Sequence, residues 1–336
     1  MGVVAIGRNE GERLRACLES ARRQVKDVVY VDSGSTDGSV QLARDLGCDV
    51  VELDLTQPFT AARARNAGYA RLKQAADVPF VFFTDGDCEL VDGFLATALN
   101  AMDDATAVVC GRRRERHPDA SVYNRLCDLE WDTPVGEAKS CGGDALIRAE
   151  AFEQVGGYDG GVIAGEEPEM CVRLRASGWK IRRIAAEMTL HDAAMTTFGQ
   201  WWKRNVRAGH AYAEGNHRHG GPPERFAAKQ VRSNWLWGLT LPLATVMAMG
   251  VLLVAWWPLV LAPPVWAGCG YFLLMFRVYQ YREARGASSG DAWLYARYTV
   301  LGKLPQALGQ VKFWRNRASG RQEKIIEYKA AARPSP

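Results

Sequence analysis

Two carboxylates one residue apart, at the end of an apolar run, are the clearest chemistry in this sequence: Val81-Phe82-Phe83-Thr84 leads into Asp85-Gly86-Asp87. Like charges at such spacing repel unless a cation lies between them. Hard oxygen donors of this kind suit Mg²⁺ or Mn²⁺ bridging phosphates. Taken alone, Asp-Gly-Asp is at least as readily a solvated turn. Other reactive side chains shift that balance: Asp32 and Asp37 in the loop Asp32-Ser33-Gly34-Ser35-Thr36-Asp37-Gly38-Ser39, the acids Glu166, Glu167 and Glu169, the bases Arg63 and Arg65, and His191 after Glu187–Leu190.

The elements that must carry these residues alternate. Gly2–Ile6 and Val28–Val31 read as apolar strands, and Glu12–Gln24 and Val40–Leu46 as helices. Asp49–Leu53 is a further short strand, and Thr60–Gly68 opens an alanine-rich helix. The run before Asp85 is a central strand, Ala107–Gly111 another, and Arg112–Arg116 a basic turn. Strand and helix in alternation predict an α/β fold with a mixed, mostly parallel sheet, whose ligands bind at the carboxyl ends of the strands. No Gly-x-Gly-x-x-Gly follows the first strand, which counts against a dinucleotide-dependent dehydrogenase.

The 336 residues allow one large domain or two smaller ones, and the net charge of +4 gives no sign of nucleic-acid binding. Eight cysteines lie within apparent core elements with no Cys-x-x-Cys pair, as expected of reduced thiols in a cytosolic domain. The N-terminus enters a strand directly, so no signal peptide is expected.

Ser233–Phe276 holds 44 residues without Asp, Glu, Lys or Arg, room for two crossings of about 20 residues each. Residues 200–232 carry seven Lys/Arg against two acids, and 277–336 carry twelve against four. Basic flanks predict that both ends of the hairpin face the cytoplasm. The expected first crossing is Asn234–Trp257, kinked near Pro242, and the second is Pro258–Phe276, shortened or broken at Pro263-Pro264. The expected division is therefore 1–215, a basic linker at 216–232, the hairpin at 233–276, and a basic amphipathic tail at 277–336. Trp201, Trp202, Lys203, Arg204 and Arg207 fit a helix lying at the headgroup level, and Trp293–Trp314 one resting on anionic lipid. Ile325–Lys329 is expected to dock as a short strand.

In order, Arg8-Asn9-Glu10, the Asp32–Ser39 loop, Arg65-Asn66-Ala67-Gly68, Asp85-Gly86-Asp87, Gly142-Gly143-Asp144-Ala145, Phe152–Asp159, Gly165-Glu166-Glu167-Pro168-Glu169 and Arg173-Leu174-Arg175 resemble family 2 glycosyltransferases of the GT-A fold. The resemblance covers roughly residues 1–215. It implies an inverting transfer from a nucleotide-diphosphate-sugar, with Mg²⁺ or Mn²⁺ held by Asp87, Asp85 and His191. It places Arg8, Glu10, Asp32, Asp37, Arg65 and Asp85 at the donor, and Gly143, Asp144 and Glu166 at the acceptor. Family members usually carry Glu-Asp where this chain has Glu166-Glu167. The resemblance thus gives the general base to Glu167, one methylene longer, with Glu166 beside it as the other acid in reach. Gln200-Trp201-Trp202-Lys203-Arg204 departs from the Gln-x-x-Arg-Trp of processive members, so processivity is not expected.

The membrane hairpin directs the expected acceptor to a lipid-linked or cell-envelope glycan at the inner, plasma membrane. Transfer directly to a polyprenyl phosphate is the alternative reaction. A nucleotide-sugar-binding scaffold without turnover is the alternative from outside enzymology.

Overall fold

The computed structural model of the chain describes residues 1–320. The expected strand at Ile325–Lys329 lies outside them. Two compact units follow one another, the first ending at Thr196 and the second starting at Thr197. The division falls earlier than the expected 215, because residues 198–219 form one unbroken helix.

The first unit runs β1 (Gly2–Gly7), α1 (Glu12–Gln24), β2 (Asp27–Asp32), α2 (Ser39–Asp45), β3 (Asp49–Glu52), α3 (Ala61–Ala75), β4 (Phe80–Asp85), β5 (Cys88–Leu90) and α4 (Phe94–Asn100). It continues through β6 (Thr106–Glu115), α5 (Val122–Trp131), β7 (Gly136–Glu137), β8 (Ala145–Arg148), α6 (Ala149–Gln154), α7 (Glu166–Ala176) and β9 (Lys180–His191). The strands form a mixed sheet in the order β3-β2-β1-β4-β8-β6-β9-β5, with β7 beside β9. β1 lies between β2 and β4, parallel to both, and β3 extends the parallel half. β8 then runs antiparallel to β4 and β6. The parallel half is apolar on both faces, because helices cover both: Val3, Val4, Val29, Tyr30, Phe82 and Phe83 are all buried.

Two sequence expectations change here. Arg112–Glu115 is strand, since β6 continues parallel to β9 with register shifts after Cys110 and at Arg112. The irregular pairing turns alternate arginines inward, and Arg113 becomes a core ion-pair partner. Glu166, Glu167 and Glu169, which the sequence reading expects just ahead of a helix at Met170–Ala176, lie in the first turn of α7, where their charge complements the helix dipole.

The second unit contains α8 (Phe198–His219), α9 (Ala228–Trp235), α10 (Leu241–Ala255), α11 (Ala262–Glu283), α12 (Ser289–Leu301) and α13 (Lys303–Ala318). One π-helical turn, Leu236–Thr240, joins α9 to α10 just before Pro242, whose missing N–H relaxes the regular ladder there. Among the described residues, Ala228–Ala255 and Trp257–Glu283 are the two helices long and apolar enough to cross a membrane, at 28 and 27 residues. The first starts before the expected Asn234 and ends at Ala255, short of the expected Trp257; the second passes the expected bounds at both ends. Pro263 and Pro264 lie in the first turn of α11 and do not break it, because a first-turn proline gives up an N–H that has no helical partner. These helices leave Val246, Val254, Trp257 and Trp266 exposed, Trp257 by 72%.

Trp201 is buried against Tyr298, so α8 does not present both tryptophans to a headgroup layer as expected. It packs instead on α13 through paired glycines. A Cβ at Gly209 would run into the Gln306 carbonyl, and one at Gly309 into the Val206 carbonyl. Gly309→Ala is therefore expected to lower stability by about 1–3 kcal/mol, the cost of overpacking a close contact. The unfolding midpoint of the detergent-purified chain reads it, with Gly268→Ala, which meets nothing, as the neutral control.

Candidate active site

The register places the first acids at one edge. Gly7 of β1 pairs with Asp32 of β2, and Ile6 pairs with Asp85 of β4. Asp32 and Asp85 thus end strands on either side of β1, about 10 Å apart across two strand spacings.

Asp32 is buried and caps its own turn: Oδ2 accepts from the Gly34 and Ser35 amides at 2.8 and 2.7 Å, and Oδ1 from the Tyr30 hydroxyl at 3.0 Å. Asn9 fastens this loop to the one after β1, accepting from the Thr36 amide at 2.7 Å and donating its own amide to Ser35 Oγ at 2.9 Å. Asp37 adds a second stitch to the Gly11 amide at 3.1 Å and also holds Ser39. Glu10 pairs with Arg13 at 2.9 Å, and the Arg8 guanidinium lies over Phe59.

Arg65 on α3 is the buried hinge of the site. It donates to Asp85 at 2.7 Å and to Glu166 at 2.6 Å, joining the end of β4 to the start of α7. Burial works against its charge, yet Asp85 and Glu166 hold its pKa above the ordinary arginine value. The guanidinium expected at the donor is thus engaged by two carboxylates. Arg63 turns to the Asp54 and Gln57 carbonyls of the preceding loop. Arg65→Leu leaves two acids without their cation, and a loss of about 3–5 kcal/mol of stability, read as a lowered unfolding midpoint, is expected.

Asp87 and His191 meet because Cys88, the next residue, pairs with His191 in the ladder between β5 and β9. Asp87 Oδ2 lies 3.3 Å from His191 Nε2. Two cis ligands of an octahedral ion at about 2.1 Å stand roughly 3.0 Å apart, so the donor set fits a cation such as Mg²⁺ or Mn²⁺ after a small shift. Glu115 lies 3.6 Å from Nδ1, the other ring nitrogen, and Trp131 packs edge-on to the ring. A carboxylate on the far nitrogen fixes ring orientation, as metal-bound histidines require. Asp85 stands at the same turn, 29% exposed at the side chain and paired with Arg65.

Asp144 departs from its expected place at the acceptor. It is fully buried and accepts from Arg113 Nε at 2.8 Å, Thr189 Oγ1 at 2.7 Å, Thr84 Oγ1 at 3.2 Å and the Asp85 amide at 3.3 Å. Its lone pairs are spent on bracing β4, β6 and β9, which leaves none for a sugar hydroxyl. Gly143 beside it has a clear purpose: a Cβ there would press on Asp85, Arg65 and Arg113 at 3.1–3.2 Å. Gly142 takes φ +83, a left-handed value that favours glycine.

Glu167 is buried at the second position of α7. Its Oε1 accepts from the Cys141 amide at 2.6 Å and from the thiols of Cys141 and Cys171 at 3.0 Å each. Burial raises its pKa above the usual carboxylate value, and those three donors oppose the rise. Glu166, one residue earlier, is tied to Arg65 at 2.6 Å.

The site therefore gathers Asp85, Arg65, Glu166, Gly143, Asp87 and His191, with Glu167 adjacent in sequence to Glu166. Sequence reading missed Asn9, Arg113, Glu115, Cys141 and Cys171. Arg113 was hidden by the irregular register of β6. For Cys171 a signal existed, since Glu167 and Cys171 stand four apart on one helix face.

Residues 3–154 match the Glycosyl transferase family 2 domain. The succinoglycan biosynthesis protein ExoA of Rhizobium meliloti (strain 1021) is 30% identical over 189 residues, covering 52% of this chain and 57% of that protein. The glycosyltransferase AglE of Haloferax volcanii is 23% identical over 217 residues, covering 60% of this chain and 69% of AglE. This chain thus spans little more than half the length of the first of these relatives. Among solved structures, the mannosyltransferase PcManGT of Pyrobaculum calidifontis, in complex with GDP-Man and Mn²⁺, superposes with a TM-score of 0.58 at 18% identity. That match covers 94% of this chain and 87% of PcManGT, and it shows a shared GT-A-type fold.

Proposed function

We propose, from the match of residues 3–154 to the Glycosyl transferase family 2 domain, that the chain transfers a sugar from a nucleotide-diphosphate-sugar to a lipid-linked or cell-envelope glycan acceptor. The reaction proceeds with inversion and depends on Mg²⁺ or Mn²⁺. One observation carries the reading. Arg65 ties Asp85, at the strand end next to Asp87 and His191, to Glu166, the neighbour of Glu167, whose carboxyl pKa is raised by burial. A cation site and a base of the right protonation behaviour thus share one brace.

In this reading Asp87 and His191 hold the cation, with Asp85 beside them. A cation held by these residues would supply charge neutralisation at the leaving diphosphate. Gly143 keeps the surface next to Asp85 free of a side chain, so a sugar can approach the backbone. Loops fastened by Asn9, Asp32 and Asp37 form the nucleotide edge, with Arg8 and Glu10 on the same loop. Glu167 takes the acceptor hydroxyl's proton as that oxygen attacks the anomeric carbon. With no enzyme nucleophile, the single displacement inverts the centre.

The two apolar helices support action at a membrane, and the basic flanks of the hairpin support a cytoplasmic catalytic unit at the inner membrane. The test is incubation of the detergent-purified chain with labelled nucleotide-sugars and total membrane lipid. Label entering the lipid-extractable fraction only with Mg²⁺ or Mn²⁺ is expected, and label confined to water-soluble products contradicts the acceptor class.

Transfer to a polyprenyl phosphate is the second reading. It is favoured by one fact: Glu167 Oε1 already carries three donors, and a phosphate acceptor needs no base. The pH profile separates the two. A base with a raised pKa is inactive while protonated, so kcat/KM is expected to fall about tenfold per pH unit below that pKa. The break comes at higher pH than an ordinary carboxylate would give, and it disappears in Glu167→Gln. A profile flat through the weakly acidic range favours the phosphate acceptor.

A further inference from the structure

We propose that Cys141, Cys171 and Glu167 form a second cation site, selective for thiophilic divalent ions of the Zn²⁺ class and distinct from the hard-ion site at Asp87 and His191. The two sulfurs and one carboxylate oxygen converge on one point, and all three residues are buried. A tetrahedral ion with Zn–S bonds of about 2.3 Å sets two sulfurs about 3.8 Å apart. The Sγ atoms of Cys141 and Cys171 stand 3.8 Å apart. The same ion with Zn–O near 2.0 Å sets oxygen about 3.5 Å from each sulfur. Here Oε1 lies 3.0 Å from both, so it needs to withdraw by roughly half an ångström.

The scaffold keeps these atoms in place without an ion. Glu167 and Cys171 project from one face of α7 four residues apart, and the Cys141 amide holds the carboxylate from the opposite loop. A soft thiolate pair selects Zn²⁺ or Cd²⁺ over Mg²⁺, whereas Asp87 and His191 with phosphate oxygens suit the harder ion. On binding, each thiol loses its proton to solvent and forms a metal–sulfur bond. Glu167 exchanges two S–H hydrogen bonds for one metal–oxygen bond, and two protons are released per ion. The consequence for turnover rests on the proposed role of Glu167: a base ligated to a metal cannot take a proton, so the ion inhibits.

The test is titration of the reduced, detergent-purified full chain with CdCl₂, with Mg²⁺ in excess to fill the hard-ion site. Thiolate-to-cadmium charge-transfer absorbance is read in the ultraviolet. Expected is saturation at one equivalent, with at least a tenfold weaker endpoint in Cys141→Ser and in Cys171→Ser and no change in Cys88→Ser. Cys88 is the discriminating control, because it lies with Asp87 and His191 in the other cluster. Signal that persists in both Cys141→Ser and Cys171→Ser, or is lost in Cys88→Ser, overturns the assignment. Cadmium NMR of the wild type needs no variant to fold: a shift for two thiolates and an oxygen ligand supports the site, and a single-thiolate shift contradicts it. Transfer is then assayed with Zn²⁺ added. Binding by both spectroscopic readouts in a chain that never transfers sugar refutes the glycosyltransferase reading and leaves the site intact; undiminished transfer by the metal-bound chain refutes the role of Glu167.

Discussion

Glu167→Gln is expected to cut transfer by about 10²–10⁴-fold, the usual contribution of a positioned proton acceptor. Donor binding should be unchanged. The substitution keeps the length of the side chain and an amide oxygen for the Cys141 N–H, so the fold around α7 is retained. What disappears is the ability to accept a proton at neutral pH. The buried setting that lifts the carboxyl's pKa is also what matches it to a hydroxyl nucleophile, because a carboxylate of ordinary pKa is a weaker base. Glu166 cannot substitute, since its Oε1 is engaged by Arg65 at 2.6 Å. Full transfer by Glu167→Gln, with unchanged donor affinity, sinks the base assignment and leaves the anionic acceptor as the better account.

Asp87→Asn is expected to act at the earlier step. Removing a ligand's charge from the inner coordination sphere should cost more than the about 10–100-fold in metal affinity that an outer partner costs. Loss of the cation's charge at the leaving diphosphate adds about 10²–10³ in rate, as for other preorganised electrostatic groups. Asn is nearly the same shape, and Asp87's backbone carbonyl still accepts from the Asp192 amide, so the chain should fold. Metal affinity is read by manganese-dependent donor binding and rate by transfer at saturating donor. Unaltered metal dependence places the cation elsewhere.

The alternation of strand and helix was legible because apolar periodicity and turn residues bounded it: α1 falls on the expected residues 12–24, and β2 and β3 lie within one residue of expectation. The acid pair and Glu167 were legible as chemistry, though their neighbours were not. Asp144 was placed at the acceptor by the resemblance, but its burial depends on Arg113, Thr84 and Thr189 arriving from three strands. No local pattern carries such a meeting. Arg113 read as part of a surface turn, because three consecutive arginines mask strand alternation. Arg65 was singled out for its charge, yet its partners lie 20 and 101 residues away, separations at which spacing carries no information. The apolar hairpin was visible in composition alone; its ends were not, because charged residues at Arg232, Arg277 and Arg282 continue the helices past the uncharged stretch.

The central claim is that acids at the end of β4 hold a divalent ion through which the sugar donor binds. Thermal unfolding of the purified chain with nucleotide-diphosphate-sugars, in Mn²⁺ and in chelator, tests it directly. One donor at a hundredfold excess over its Kd should add about 2.7 kcal/mol of stability in Mn²⁺. That protection should vanish in chelator and in Asp87→Asn. Equal protection in chelator, or full protection of Asp87→Asn, contradicts the claim.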